Sequence, residues 1–111
     1  MSGPLVVGVP RETKPGEHRV ALTPDGAREL RAHGVTVLVE RDAGHGSAIP
    51  NDAYAVAGAR IVDRAADVWE RAELVVKVKE PQPEEFAFLR PGLVLFAYLH
   101  LAAYPEVARQ L

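Results

Sequence analysis

Gly8-Val9-Pro10-Arg11-Glu12-Thr13-Lys14-Pro15-Gly16-Glu17-His18-Arg19-Val20-Ala21-Leu22-Thr23-Pro24 is the stretch that decides how this chain folds. It leaves an apolar run, Leu5 to Val9, that is rich in valine and apolar on both faces, as a strand covered by helices on both sides would be. It ends at a helix start: Thr23 is a natural N-cap, Pro24 fits the first turn, and Asp25 suits the positive end of the helix dipole. Between strand and helix lies a polar loop of roughly ten residues, longer than the two to six usual for such a connection. A long loop at the end of a buried strand calls for a purpose beyond turning the chain.

The remaining segments repeat the alternation. The helix from Thr23 stops at Gly34, where a left-handed residue is usual, and Val35–Val39 reads as a second strand. A short helix from Asn51 or Asp52 to Ala57 ends at Gly58, and Arg60–Val62 is a brief third strand. Asp63 is expected to cap a helix over Arg64–Arg71, whose buried face carries Val68 and Trp69. A fourth strand is expected over Leu74–Val78, a helical turn or two over Pro83–Leu89, and a fifth strand over Leu93–Ala97 after the Arg90-Pro91-Gly92 break. Pro105 starts a last helix, Glu106–Leu111. Five strands alternating with helices imply crossover connections. The fold expected is α/β: a mostly parallel five-stranded sheet with helices on both faces, a Rossmann-like or flavodoxin-like three-layer sandwich. No repeat, linker or low-complexity tract divides it. The last helix ends without a stop signal, so the chain reads as cut short, one domain over residues 1–111.

Composition narrows the function classes. With 48% hydrophobic residues in 111, there is enough apolar material for a single core. A net charge of −2 and no basic cluster longer than Lys77-Val78-Lys79 argue against a nucleic-acid partner. There are no cysteines, hence no disulfide framework or thiolate metal site. No signal peptide and no apolar run near the roughly 20 residues of a membrane span are visible, so the default expectation is a cytoplasmic protein without a membrane partner.

Ligands of open α/β sheets bind outside the carboxyl ends of the strands. Three residues fall there by position: Arg19 in the loop after strand one, Lys79 past strand four and His100 past strand five. An arginine fork matches a carboxylate, a lysine offers a point charge to a second oxygen, and a histidine exchanges protons near neutral pH. That set suits a small 2-oxo acid. Each residue has a plainer reading: Arg19 as a solvated loop charge, Lys79 or its alternate neighbour Lys77 as a strand end reaching for water, and His100 as a satisfied core histidine. Gly44-His45-Gly46-Ser47-Ala48-Ile49 begins like a dinucleotide fingerprint, but Ile49 stands where the third glycine belongs, so no cofactor site is expected here. His18, His33 and His45 read as exposed, and four scattered histidines give no metal site.

The opening motif Gly8–Lys14, with Glu17, Arg19-Val20-Ala21 and Thr23-Pro24, resembles the N-terminal signature of the alanine dehydrogenase and pyridine nucleotide transhydrogenase family. Ala43-Gly44-x-Gly46-Ser47, Lys77-Val78-Lys79-Glu80-Pro81 and Tyr98-Leu99-His100-Leu101-Ala102-Ala103 resemble it in the same order, so the likeness runs from about Val6 to Leu111. The histidine in the last motif is a feature of the alanine dehydrogenase branch, which the transhydrogenases lack. The resemblance implies that Arg19 binds the substrate carboxylate, Lys79 contacts the carboxylate and carbonyl oxygen of pyruvate, and His100 is the acid/base group. It implies the reversible conversion of L-alanine, water and NAD⁺ to pyruvate, ammonium and NADH. It implies also a homo-oligomer, a hexamer in the family. Family members are about three times longer and hold NAD on a separate Rossmann domain, which these residues do not supply. The chain is thus expected to be the first part of the substrate domain, inactive alone. The alternatives are the corresponding start of a transhydrogenase alpha subunit, or a free-standing domain that binds a small carboxylate or mediates oligomer contacts.

Overall fold

The first strand, β1 (Val6–Val9), lies at the centre of a five-stranded sheet in the computed structural model, which describes residues 5–97. The others are β2 (Thr36–Glu40), β3 (Arg60–Val62), β4 (Leu74–Val76) and β5 (Val94–Phe96). Their order is β3-β2-β1-β4-β5, and every pairing is parallel. The α/β sheet expected from the strand–helix alternation is therefore observed. Val7 stands between Val37 of β2 and Leu74 of β4, which sets the register across the centre.

Helices α1 (Pro24–Ala32) and α2 (Asn51–Val56) cover one face, and α3 (Ala65–Arg71) the other. The side-chain alternation of the strands feeds both layers. Val9, Val37 and Val39 pack with Ala27 of α1 and with Tyr54 and the α2-ending Ala57. Leu38, with Val6 beside it, packs with Val62 and Val68 on the opposite face. Trp69, fully buried as its helical position implied, stacks on Phe88 with ring centroids 5.8 Å apart. The Arg90 guanidinium donates to the carbonyls of Trp69 and Ala72, satisfying the end of α3.

The α1 boundaries follow from local chemistry. Thr23 accepts a hydrogen bond from the Gly26 N–H at 3.1 Å, as an N-cap should. At the other end Gly34 adopts φ +82°, and Val35 N–H returns to the Leu30 carbonyl at 3.0 Å. Three expectations shift. Asp63 does not cap α3, because its carboxylate is taken by Arg41 at 2.8 Å; Arg64 stands at the cap position without a side-chain capping bond, its guanidinium pairing with Asp67 instead. The segment after Pro83 is a 3₁₀ turn, Pro83–Phe88. Strand β4 ends at Val76, two residues early, because the carboxylate of Glu12 takes the N–H groups of Val78 and Lys79. The helix expected over Glu106–Leu111 lies outside the described residues.

The strand order reverses between β1 and β4: the chain leaves β1 toward β2 and β3, then crosses back through α3 to β4 on the other side. The crevice at such a reversal is where α/β sheets hold ligands. The crossover demands that α3 lie close over β1, and Gly8 makes room for it. A Cβ there would stand 2.6 Å from Val68 Cγ1 and 2.8 Å from the Ala72 Cβ. We expect Gly8→Ala to destabilise the fold by about 1–3 kcal/mol through overpacking, read as a lowered midpoint in thermal or urea unfolding; an unchanged midpoint would contradict this account of the β1–α3 contact.

Candidate active site

The loop from Pro10 to Thr23 crosses the carboxyl end of the sheet and is fastened on both flanks. Towards β2, the Arg11 N–H donates to Glu40 at 2.9 Å. Towards β4, Lys14 Nζ pairs with Glu80 at 2.7 Å, and Glu12 accepts from Val78 N–H at 3.0 Å and Lys79 N–H at 3.3 Å. Beneath this loop Lys77 is buried between Glu12 at 3.2 Å and Glu85 at 3.3 Å. Lys77 is thus not a strand end reaching for water. Burial pushes the Glu85 carboxyl above its ordinary range, against the pull of the Lys77 charge.

On this frame Arg19 pairs with the Glu17 carboxylate, and Lys79 follows β4 with its backbone N–H on Glu12 of the same loop. The Arg19 guanidinium forks onto Glu17, Nε to Oε2 and Nη2 to Oε1, both at 3.0 Å. The Arg19 side chain is 66% exposed while that of Glu17 is 5% exposed, so the cation faces outward over a covered acid. The Arg19 hydrogen bond is the main reason the Glu17 carboxyl falls to about 2, and the Lys79 charge lowers it further. Arg19 also lines two cavities. One, of 460 Å³, has Leu22, Ser47, Val76 and Phe96 in its wall; the other, of 310 Å³, has Arg11, Glu17 and His45. His100, the third residue expected here, lies outside the described residues.

The Gly44–Ile49 loop proves to have a packing purpose. It forms a 3₁₀ turn over His45–Ser47, and α2 begins only at Asn51. A Cβ on Gly46 would stand 2.7 Å from the His18 carbonyl oxygen, and Ser47 Oγ donates to that same oxygen at 2.9 Å. The glycine and serine therefore bring β2's following loop against the residue next to Arg19. Gly46 and Ser47 are engaged in this contact, and the α-helix that follows opens only at Asn51. Among the described residues no group of three or more His, Cys, Asp or Glu could hold a metal ion. Tyr54 is tied in from below, its hydroxyl donating to the Leu22 carbonyl at 2.7 Å, with burial pushing its pKa up to about 12.

Sequence reasoning missed Glu17 beneath Arg19, and Glu12 and Glu85 as the buried partners of Lys77. The available signal was charge arithmetic: lysines at the end of a buried strand need acids, and the long loop and the segment after Pro83 hold them.

The family model described as alanine dehydrogenase/PNT, N-terminal domain, matches residues 8–111. The chain belongs to that family. Alanine dehydrogenase from Bacillus subtilis is 55% identical to it over 107 residues, covering 96% of this chain and 28% of the relative. The Mycolicibacterium smegmatis alanine dehydrogenase is 50% identical over 99 residues, covering 89% and 27%. Among solved structures, an L-alanine dehydrogenase superposes with a TM-score of 0.92 at 45% identity, covering 96% of this chain and 29% of that one. A transhydrogenase from Sinorhizobium meliloti gives 0.84 at 33%, covering 92% and 29%. The chain thus spans less than a third of the length of these relatives, and it is more similar to these alanine dehydrogenases than to that transhydrogenase.

The Glu17 pairing gives a titration to test in this family member. A lowered carboxyl contributes stability above its ordinary value of 4.5, and that contribution is lost as the pH falls through about 2. We expect a carboxyl NMR titration to place the Glu17 midpoint near 2, and Arg19→Met to raise it toward 4.5. A wild-type midpoint at the ordinary value would remove the fork.

Proposed function

We propose that these residues are the substrate-binding N-terminal part of an NAD-dependent L-alanine dehydrogenase, interconverting L-alanine with pyruvate and ammonium. The observation that carries the reading is the Arg19–Glu17 fork at the strand-order reversal, on the same loop whose Glu12 accepts from the Lys79 N–H. A site already arranged around one carboxylate suits a substrate that brings another. In this reading Arg19 binds the carboxylate of pyruvate through its planar fork. Lys79 stands at the carbonyl oxygen, where a cation stabilises the negative charge that develops as the carbon accepts a hydride. His100 moves protons while ammonia adds and water leaves, a contribution typically worth about 10²–10⁴ in rate. NAD would be held by a part of the protein outside residues 1–111. We further take the full protein to be a cytoplasmic homo-oligomer, a hexamer by family likeness, with no nucleic-acid partner. No described helix is long and apolar enough to cross a membrane.

The test uses the reading frame extended past Leu111 into the longer protein. The wild type should reduce NAD⁺ only when L-alanine is present. His100→Ala should cut turnover about 10²-fold or more while the pyruvate KM changes little. Arg19→Ala should weaken pyruvate binding by about 2–5 kcal/mol, as the loss of one partner of a desolvated charge pair does. Hydride exchange between NAD(H) and NADP(H) without any need for alanine would instead assign the transhydrogenase branch. A frame that stops at Leu111, with pyruvate binding but no turnover, would assign a free-standing carboxylate-binding domain.

A further inference from the structure

We propose that Glu12 is a positioning residue for Lys79, and this inference rests on the reading of Lys79 given under the proposed function. Glu12 borders the 310 Å³ cavity beside Arg19, but its side chain is 3% exposed, and among the described residues its carboxylate bonds to the segment that follows β4. Oε2 accepts from the Val78 N–H at 3.0 Å, and Oε1 accepts from the Lys79 N–H at 3.3 Å and from Lys77 Nζ at 3.2 Å. Three consecutive residues thus hang on one carboxylate, which has about four acceptor positions to offer. An amide in its place would turn an NH₂ group toward an N–H donor, so the arrangement asks for an acid.

The charge balance explains why Lys77 is buried there. Glu12 and Glu85 flank it, and the second acid also accepts from the Gln82 N–H at 2.8 Å. One ammonium and three backbone N–H groups therefore serve two covered carboxylates. On the far side of Lys79, Glu80 is 1% exposed and paired with Lys14. Lys79 itself is only half-buried, between neighbours that are fully covered. Its backbone is consequently held from both sides by the loop that also carries Glu17 and Arg19. The spacing between the two substrate cations is set by this loop, through Glu12, as well as by the pairing of β1 with β4.

This differs from a merely stabilising ion pair, and the difference can be measured in the longer enzyme. Glu85→Gln weakens the Lys77 pair but leaves the Val78 and Lys79 amides on Glu12. Glu12→Gln disturbs both. We expect Glu12→Gln to raise the pyruvate KM about tenfold or more, since small displacements of a catalytic group are costly, while the KM for NADH stays within about twofold. Glu85→Gln should lower the melting temperature at least as much and leave the pyruvate KM within about twofold. Equal KM changes in the two variants, or none in Glu12→Gln, would overturn the role of Glu12. If Glu12→Gln does not fold, hydrogen exchange on the wild type decides: the Val78 and Lys79 amides should be protected about 100-fold or more, and exchange at the rate of free amides would overturn it. A wild type that neither binds nor turns over pyruvate is a separate outcome, which ends the reading of Lys79 and this inference with it.

Discussion

A lysine side chain with no solvent exposure sits at the end of β4, between two acids that are themselves covered. Taking such charges out of water costs several kcal/mol for each ion, so the group exists only because its partners are fully engaged. Those partners come from two separate places, the loop after β1 and the 3₁₀ turn after β4. The requirement to satisfy Lys77 therefore joins three segments of chain at the carboxyl end of the sheet. Once they are joined, the loop carrying Arg19 has little freedom to lie elsewhere.

The sheet topology decides where that junction falls. The crossover from β3 back to β4 places the reversal beside β1, where α/β sheets leave a crevice between the strand ends. Gly8 lets α3 settle close enough to complete the crossover, and Gly46 lets the next loop reach the backbone beside Arg19. Both glycines serve approach of backbone or helix to backbone. The phosphate-like motif around Gly44 is therefore a packing device in this domain.

Electrostatically the candidate site is a guanidinium forked over a covered acid. Glu17 holds Arg19 in a defined orientation, and the Lys79 charge acts on the same carboxylate. A guanidinium fixed by one carboxylate loses less freedom when a second carboxylate arrives, which is how preorganisation aids binding. This fits the small, doubly oxygenated substrate of the proposed reaction better than an extended one.

The five strands, their parallel arrangement and the start and stop of α1 were legible in the chain, because those depend on periodicity and on caps such as Thr23 and Gly34 that act within a few residues. The sequence by itself also placed Arg19 and Lys79 at one edge, since a parallel sheet sends every strand's end the same way. The early end of β4, the loss of Asp63 as a cap and the burial of Lys77 were decided only in three dimensions. Each depends on a partner beyond its own segment: Glu12 for the amides of Val78 and Lys79, Arg41 for Asp63, and Glu12 with the nearer Glu85 for Lys77. Local patterning reports what a segment prefers, whereas a buried charge is satisfied only where the folded chain brings its counter-charge.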